Sequence, residues 1–269
     1  SYFSLKCPIY FRLLTMMHIN NLSLIRQKKV LLHPTSFIIE PNKLYALIGH
    51  NGSGKSSLIK AMAGEMTPTQ GGIEIENTDL RSFSAKRLAT HLAYLPQNLP
   101  DAGAFTVYEL VMLGRYPHQK WLQKPTADDR QQVEKAIALT QVDAFRDRQV
   151  STLSGGERAR VWLAMCLAQQ TKYLLLDEPL AALDVVYQIE VLKLIRQLVD
   201  EQGLGVVIIL HDLNLAARFC DEFIALKQGK LCHMSDVKRT MEKDVLRSIF
   251  GVDFTLLTHP TTTHKVAVI

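Results

Sequence analysis

The chain has 269 residues, 47% hydrophobic and 21% charged, enough for one large α/β domain or two small ones with a proper core. Its formal net charge of +5 reads as a solvated surface rather than a nucleic-acid footprint, so no nucleic-acid partner is expected. No apolar stretch approaches the ~18 to 20 residues of a membrane-spanning helix, and Cys7, Cys166, Cys220 and Cys232, with no CxxC pair and no regular spacing, read as reduced packing residues rather than a zinc site or a disulfide frame.

Residues 1–15 are apolar in patches, broken by Lys6, Pro8 and Arg12, with no small-residue cleavage site after them. They read as a poorly ordered extension, or as sequence upstream of a true start at the Met16-Met17 pair, and not as a signal peptide. We therefore set residues 1–16 apart from one domain spanning 17–269. Apolar segments at 22–25 and 37–39 flank a basic turn at Gln27-Lys28-Lys29 and predict antiparallel strands. The continuous apolar run at 44–48 predicts a strand buried on both faces of a parallel sheet. A glycine-rich loop and a helical pattern through Leu58, Ile59 and Met62 follow it.

From 98 to 171 the pattern turns helical, with a capping box at Thr126 and Asp129. Strands return at 173–176 and 206–210, separated by an amphipathic helix carrying Val191, Leu192, Ile195, Leu198 and Val199. The organisation is an α/β core, 17–97 and 172–269, with a helical insertion at 98–171.

Gly49-His50-Asn51-Gly52-Ser53-Gly54-Lys55-Ser56, followed by Ser57, lies between a predicted strand and a predicted helix and fits a phosphate-binding loop. Glycines let backbone N–H groups turn inward around phosphates, and the helix N-terminus adds a favourable dipole. Lys55 suits the β- and γ-phosphates of ATP, and Ser56 suits a Mg²⁺ ion. Asp177 and Glu178 end an apolar strand; the first suits the same Mg²⁺ and the second can polarise an attacking water. Alone, that acidic pair reads equally well as the start of a loop. Ser154-Gly155-Gly156-Glu157 opens a helix with exposed amides and forms either a second anion site or merely a capped helix start.

Taken together these segments resemble the ATP-binding cassette family. The resemblance rests on the phosphate loop, Gln97 in Tyr94-Leu95-Pro96-Gln97, the Leu153-Ser154-Gly155-Gly156-Glu157 signature, Asp177-Glu178, the loop Ala182-Leu183-Asp184 and His211, in that order. It implies the cassette ATPase fold, a phosphate-loop core with an N-terminal antiparallel β subdomain and a helical insertion. It also implies Gln97 as a sensor of Mg²⁺ and water, His211 as a clamp on the γ-phosphate and Asp184 as a contact across a dimer. The signature then completes the ATP site of a second copy. Three departures stand out: Glu157 where the family usually has Gln, Ala181 where Ser is frequent, and Arg26 at the place of the usual adenine-stacking aromatic.

The intact Lys55, Glu178 and His211, and the single cassette, resemble a transport motor rather than a translation factor, a DNA-maintenance ATPase or an inert adaptor. The resemblance implies separate integral-membrane permease chains, met through the helical insertion and the loop with Leu99, Pro100 and Tyr116. It also implies an external substrate-binding protein and a peripheral place on the cytoplasmic face of the inner membrane. Segments such as Leu113-Gly114-Arg115-Tyr116-Pro117 and His211-Asp212-Leu213-Asn214 are similar to the iron-chelate, haem and vitamin B12 importer group. Within it the ferric hydroxamate importers are the expected match.

Overall fold

The computed structural model describes residues 16–120, 123–259 and 264–269. The expected extension at 1–15 lies outside the described residues. Met16, counted with that extension, instead belongs to the fold: it is buried, and its carbonyl accepts the Glu76 N–H.

β1 (Met17–Arg26) and β2 (Lys29–Ile39) form the antiparallel pair expected around the basic turn, longer than the apolar segments alone suggested. Gln27 and Lys28 both take positive φ, 48° and 66°, as a tight two-residue turn requires. β3 (Lys43–Ile48) leads into the phosphate-loop segment and α1 (Lys55–Met62). β4 (Gln70–Ile75), β5 (Thr78–Asp79), α2 (Ala85–Leu88) and β6 (Leu92–Leu95) follow. The insertion carries α3 (Val107–Leu113), α4 (Ala127–Leu139) and α5 (Gly155–Ala168), with the capping box of Thr126 and Asp129 in place.

After it come β7 (Tyr173–Leu176), α6 (Val185–Gln202), β8 (Gly205–Ile209) and α7 (Leu213–Phe219). β9 (Glu222–Lys227), β10 (Lys230–Asp236), α8 (Val237–Thr240) and α9 (Lys243–Phe250) complete the core, and β11 (Thr255–Thr258) pairs with β12 (Lys265–Val268).

The main sheet has the order β10-β9-β3-β8-β7-β6, parallel except for the edge strand β10. Side chains alternate across it. Leu44, Ala46, Leu174, Leu176, Val206 and Ile208 face a core shared with the helical insertion and α6. Tyr45, Leu47, Tyr173, Leu175, Val207 and Ile209 face a second core under β1, β2, β4 and α1. Burial on both faces explains why these strands read as continuous apolar runs. The sheet also fixes the site, because the loops after β3, β6, β7 and β8 all leave its C-terminal edge, where α/β proteins bind their ligands.

Candidate functional site

Gly49 and Gly54 set the shape of the loop after β3. At φ 140°, a Cβ on Gly49 would stand 2.1 Å from the Leu226 carbonyl oxygen. One on Gly54, at φ 104°, would stand 2.8 Å from that of Leu31. Only glycine tolerates both the dihedral and the contact. Lys55 is buried, and its Nζ donates to the carbonyls of Gly49 (2.8 Å) and His50 (3.0 Å). Burial pushes its pKa down, with Glu178 and Asp177 acting in the opposite sense. A buried ammonium held only by carbonyls is short of an anion, and a phosphate supplies one.

Five side chains from four neighbouring loops meet here. Ser56 Oγ donates to Asp177 Oδ1 at 3.3 Å. The Asp177 carboxyl is pushed up by burial first and by the charge of Glu178 second, so it is an anion short of a cation. Glu178 is held at both oxygens: Gln97 Nε2 donates to Oε2 at 2.7 Å, and His211 Nε2 lies 2.8 Å from Oε1. Its backbone takes φ 52°, a left-handed conformation that costs a non-glycine residue about 1 kcal/mol or more and clusters at functional sites. Strand order explains the convergence, since β6, β7 and β8 are consecutive neighbours and deliver Gln97, Glu178 and His211 to one edge.

These residues line one open cleft with Asn51, Gly52, Gly54, Lys55, Ser56 and Ser57. Ser53 lies beneath the loop, buried, with its N–H on the His50 carbonyl. The far wall comes from Lys29, Val30, Leu31, Gln228 and Gly229, none of which the sequence marked as a site residue. Arg26 is exposed at the hairpin end and is not among the lining residues. The wall begins where β2 leaves the turn, a consequence of hairpin twist that no local pattern announces.

The signature segment stands apart. Residues 154–157 contribute nothing to the lining of this cleft. Ser154 Oγ accepts the Glu157 N–H and Glu157 Oε2 accepts the Ser154 N–H, a capping box whose hydrogen bonds hold the Glu157 carboxyl below its ordinary range. It leaves the Gly155 and Gly156 amides at the start of α5 for an external acceptor. A Cβ on Gly156 would come within 3.2 Å of Leu183 Cδ2, so the segment is packed against the loop ending at Asp184. Asp184 itself caps α6, accepting the Tyr187 N–H at 3.1 Å.

Among the described residues no group of three or more His, Cys, Asp or Glu could hold a metal unaided, and no helix is long and apolar enough to cross a membrane. A divalent cation here would rely on Ser56, Asp177 and oxygens brought by the nucleotide.

Residues 32–181 match the family model of the ABC transporter. The chain is 37% identical over 238 residues to the iron(3+)-hydroxamate import ATP-binding protein FhuC of Bacillus subtilis (strain 168), covering 88% of both chains. It is also 37% identical over 258 residues to the hemin import ATP-binding protein HmuV of Pseudomonas entomophila (strain L48), covering 94% of this chain and 99% of that one. A solved structure described as a metal-chelate type ABC transporter in an inward-facing conformation superposes with a TM-score of 0.79 at 25% identity, covering 94% of this chain and 97% of that one. With its phosphate loop, its carboxylate pair and relatives this similar over most of their length, the chain belongs to the ABC transporter family, as an ATP-hydrolysing cassette.

Proposed function

We propose that this cassette is the motor of an iron-chelate importer and works as a head-to-tail pair beneath integral-membrane permease chains. One observation carries the pairing: Lys55, Ser56, Gln97, Glu178 and His211 line the cleft, with the buried Asp177 bonded to Ser56, while Ser154, Gly155 and Gly156 lie outside it in the same chain. A phosphate site without a lid and a helix start without an anion are each incomplete, and two copies related by a twofold axis complete both. Asp184, beside the signature, then meets the partner copy. Glu157 shapes the signature through its capping box. Ser56 and Asp177, with Gln97 nearby, would hold Mg²⁺, which supplies positive charge against the β- and γ-phosphates when bound. Glu178 takes the proton of the attacking water, and His211 steadies the γ-phosphate.

On the permease side, exposed Leu113 and Tyr116 flank the buried Arg115, and Leu99 and Pro100 follow Gln97, so a permease element seated there would sense the carboxylate pair. An external substrate-binding protein would deliver the cargo. For that cargo, similarity to a hydroxamate importer favours a ferric hydroxamate. Deleting the gene should abolish growth on ferrichrome-type chelates as sole iron source, and restoring the wild-type chain should rescue it. Normal ferrichrome uptake with loss of haem uptake would move the cargo to haem and leave the motor role intact. Loss of vitamin B12 or catecholate-chelate uptake alone would likewise move only the cargo, and an uptake defect for none of these would remove the import reading.

For the base, the exposed apolar face of Val30, with Lys29, is the better seat than Arg26. Arg26→Ala should change ATP affinity less than about twofold. Val30→Asp should weaken it about tenfold by placing a charge where apolar contact is needed. Equilibrium ATP binding to the two purified variants decides this, and the reverse order restores Arg26 as the stacking group.

A further inference from the structure

His50 occupies the second position of the phosphate loop, and its backbone and side chain look in opposite directions. Its carbonyl is the hub of the loop, accepting from both Lys55 Nζ (3.0 Å) and the Ser53 N–H (3.1 Å). Its ring turns away to α9, where Nε2 lies 2.8 Å from the Phe250 carbonyl oxygen. Because a carbonyl only accepts, Nε2 carries the proton. The ring also packs edge-on against the Phe250 ring, with centroids 5.7 Å apart at 76°, and Phe250 packs in the same way on Phe254.

The C-terminal end of α9 is well placed to act as an anchor. Leu246 and Ile249 are fully buried, which fixes the helix on the core. Its last carbonyls have no partner within the helix. Gly251 closes the helix at φ 74° with its N–H on the Arg247 carbonyl. Lys227 Nζ donates to the Ser248 carbonyl at 2.5 Å, and His50 takes that of Phe250. Lys227 directly follows Leu226, whose carbonyl presses on Gly49. The end of α9 is thus tied to the start of the phosphate loop directly through His50, and through Lys227 to the strand packed beside Gly49.

We infer that His50 is a positioning residue that tethers the phosphate loop to the C-terminal helix, and that this tether, through the His50 carbonyl, presets Lys55 for the nucleotide phosphates. The side chain touches no reacting atom, so its removal costs affinity and leaves the chemical step intact. Losing such a hydrogen bond weakens binding about three- to tenfold.

The test uses the full-length subunit, with equilibrium ATP binding, KM, kcat and thermal unfolding measured on each variant. His50→Leu, which keeps bulk but removes the donor, should raise the dissociation constant and KM for ATP about three- to tenfold, with kcat within twofold. His50→Gln, whose Nε2 can reach the same carbonyl, should restore affinity. Gly251→Val strains the left-handed cap in open space and displaces the acceptor; it should weaken ATP binding in the wild-type background and add little to His50→Leu. The tether is refuted if His50→Leu binds ATP as tightly as wild type, if His50→Gln is no better than His50→Leu, or if Gly251→Val has the same effect in both backgrounds. A wild-type chain that bound no ATP would instead remove the cassette reading beneath it.

Discussion

Glu178→Gln should bind ATP with near wild-type affinity and hydrolyse it ~10² to 10⁴ times more slowly, the usual cost of losing a general base. The geometry explains why affinity and fold survive. Both carboxylate oxygens are hydrogen-bonded, one by Gln97 Nε2 and the other by His211 Nε2. An amide in that place keeps one acceptor for His211, and the Gln97 amide can turn to offer its oxygen to the new N–H₂ group. The amide cannot take a proton, so the water is not activated. With ATP and Mg²⁺ the variant should accumulate as a dimer in light scattering, and with ADP it should not. Adding Ser154→Arg should prevent that dimer and spare ATP binding, because Ser154 lies outside the cleft of its own chain. Turnover within threefold of wild type would end the assignment of Glu178. In the cell, the Glu178→Gln chain should fail to restore growth to the deletion strain.

What was legible in the sequence depended on how local the physics was. The run at 44–48 announced β3 because a strand buried on both faces must be apolar throughout. The loop after it was equally plain, since positions such as Gly49 and Gly54 admit no other residue. β4 was not, because Gly71 and Gly72 at its start look like a turn until β1 is laid beside them. The meeting of Gln97, Glu178 and His211 was carried by family resemblance alone, as it needs the strand order, which no single segment contains. The apolar wall at Val30 and the tether from His50 to Phe250, 200 residues away, were invisible for the same reason. Each depends on the spatial partner and leaves no mark on its own neighbours.

Arg115 should be the most costly residue to remove from the helical insertion. Its side chain is 3% exposed, yet every donor group is used. Nε bonds Asp129 at 3.0 Å, one terminal nitrogen bonds the Ala168 carbonyl and Gln170 Oε1 at 2.8 Å, and the other bonds Asp128 at 3.3 Å. These contacts clamp the start of α4 and the end of α5 around the segment after α3. Burial pushes the Asp129 carboxyl up, but the Thr126 amide, the Thr126 hydroxyl and Arg115 together outweigh it and hold it below the ordinary range. Arg115→Ala leaves Asp129 buried without its cation, which costs about 3 to 5 kcal/mol. Arg115→Lys should fall between, because an ammonium keeps the charge but loses the planar fork. The sign with pH follows from the depressed carboxyl. Its contribution is complete above the unfolded pKa, near 3.9, and is lost as pH falls through the lower folded value, so Arg115→Ala should flatten the acid limb of stability. Denaturant midpoints at neutral and acid pH measure both effects, and a loss below about 1 kcal/mol at neutral pH would overturn the clamp. Leu113 and Tyr116, exposed on either side of Arg115, owe their presentation to the same clamp. Below its melting temperature the variant should therefore still bind ATP in the cleft, which Arg115 does not line, while losing stimulation by the permease.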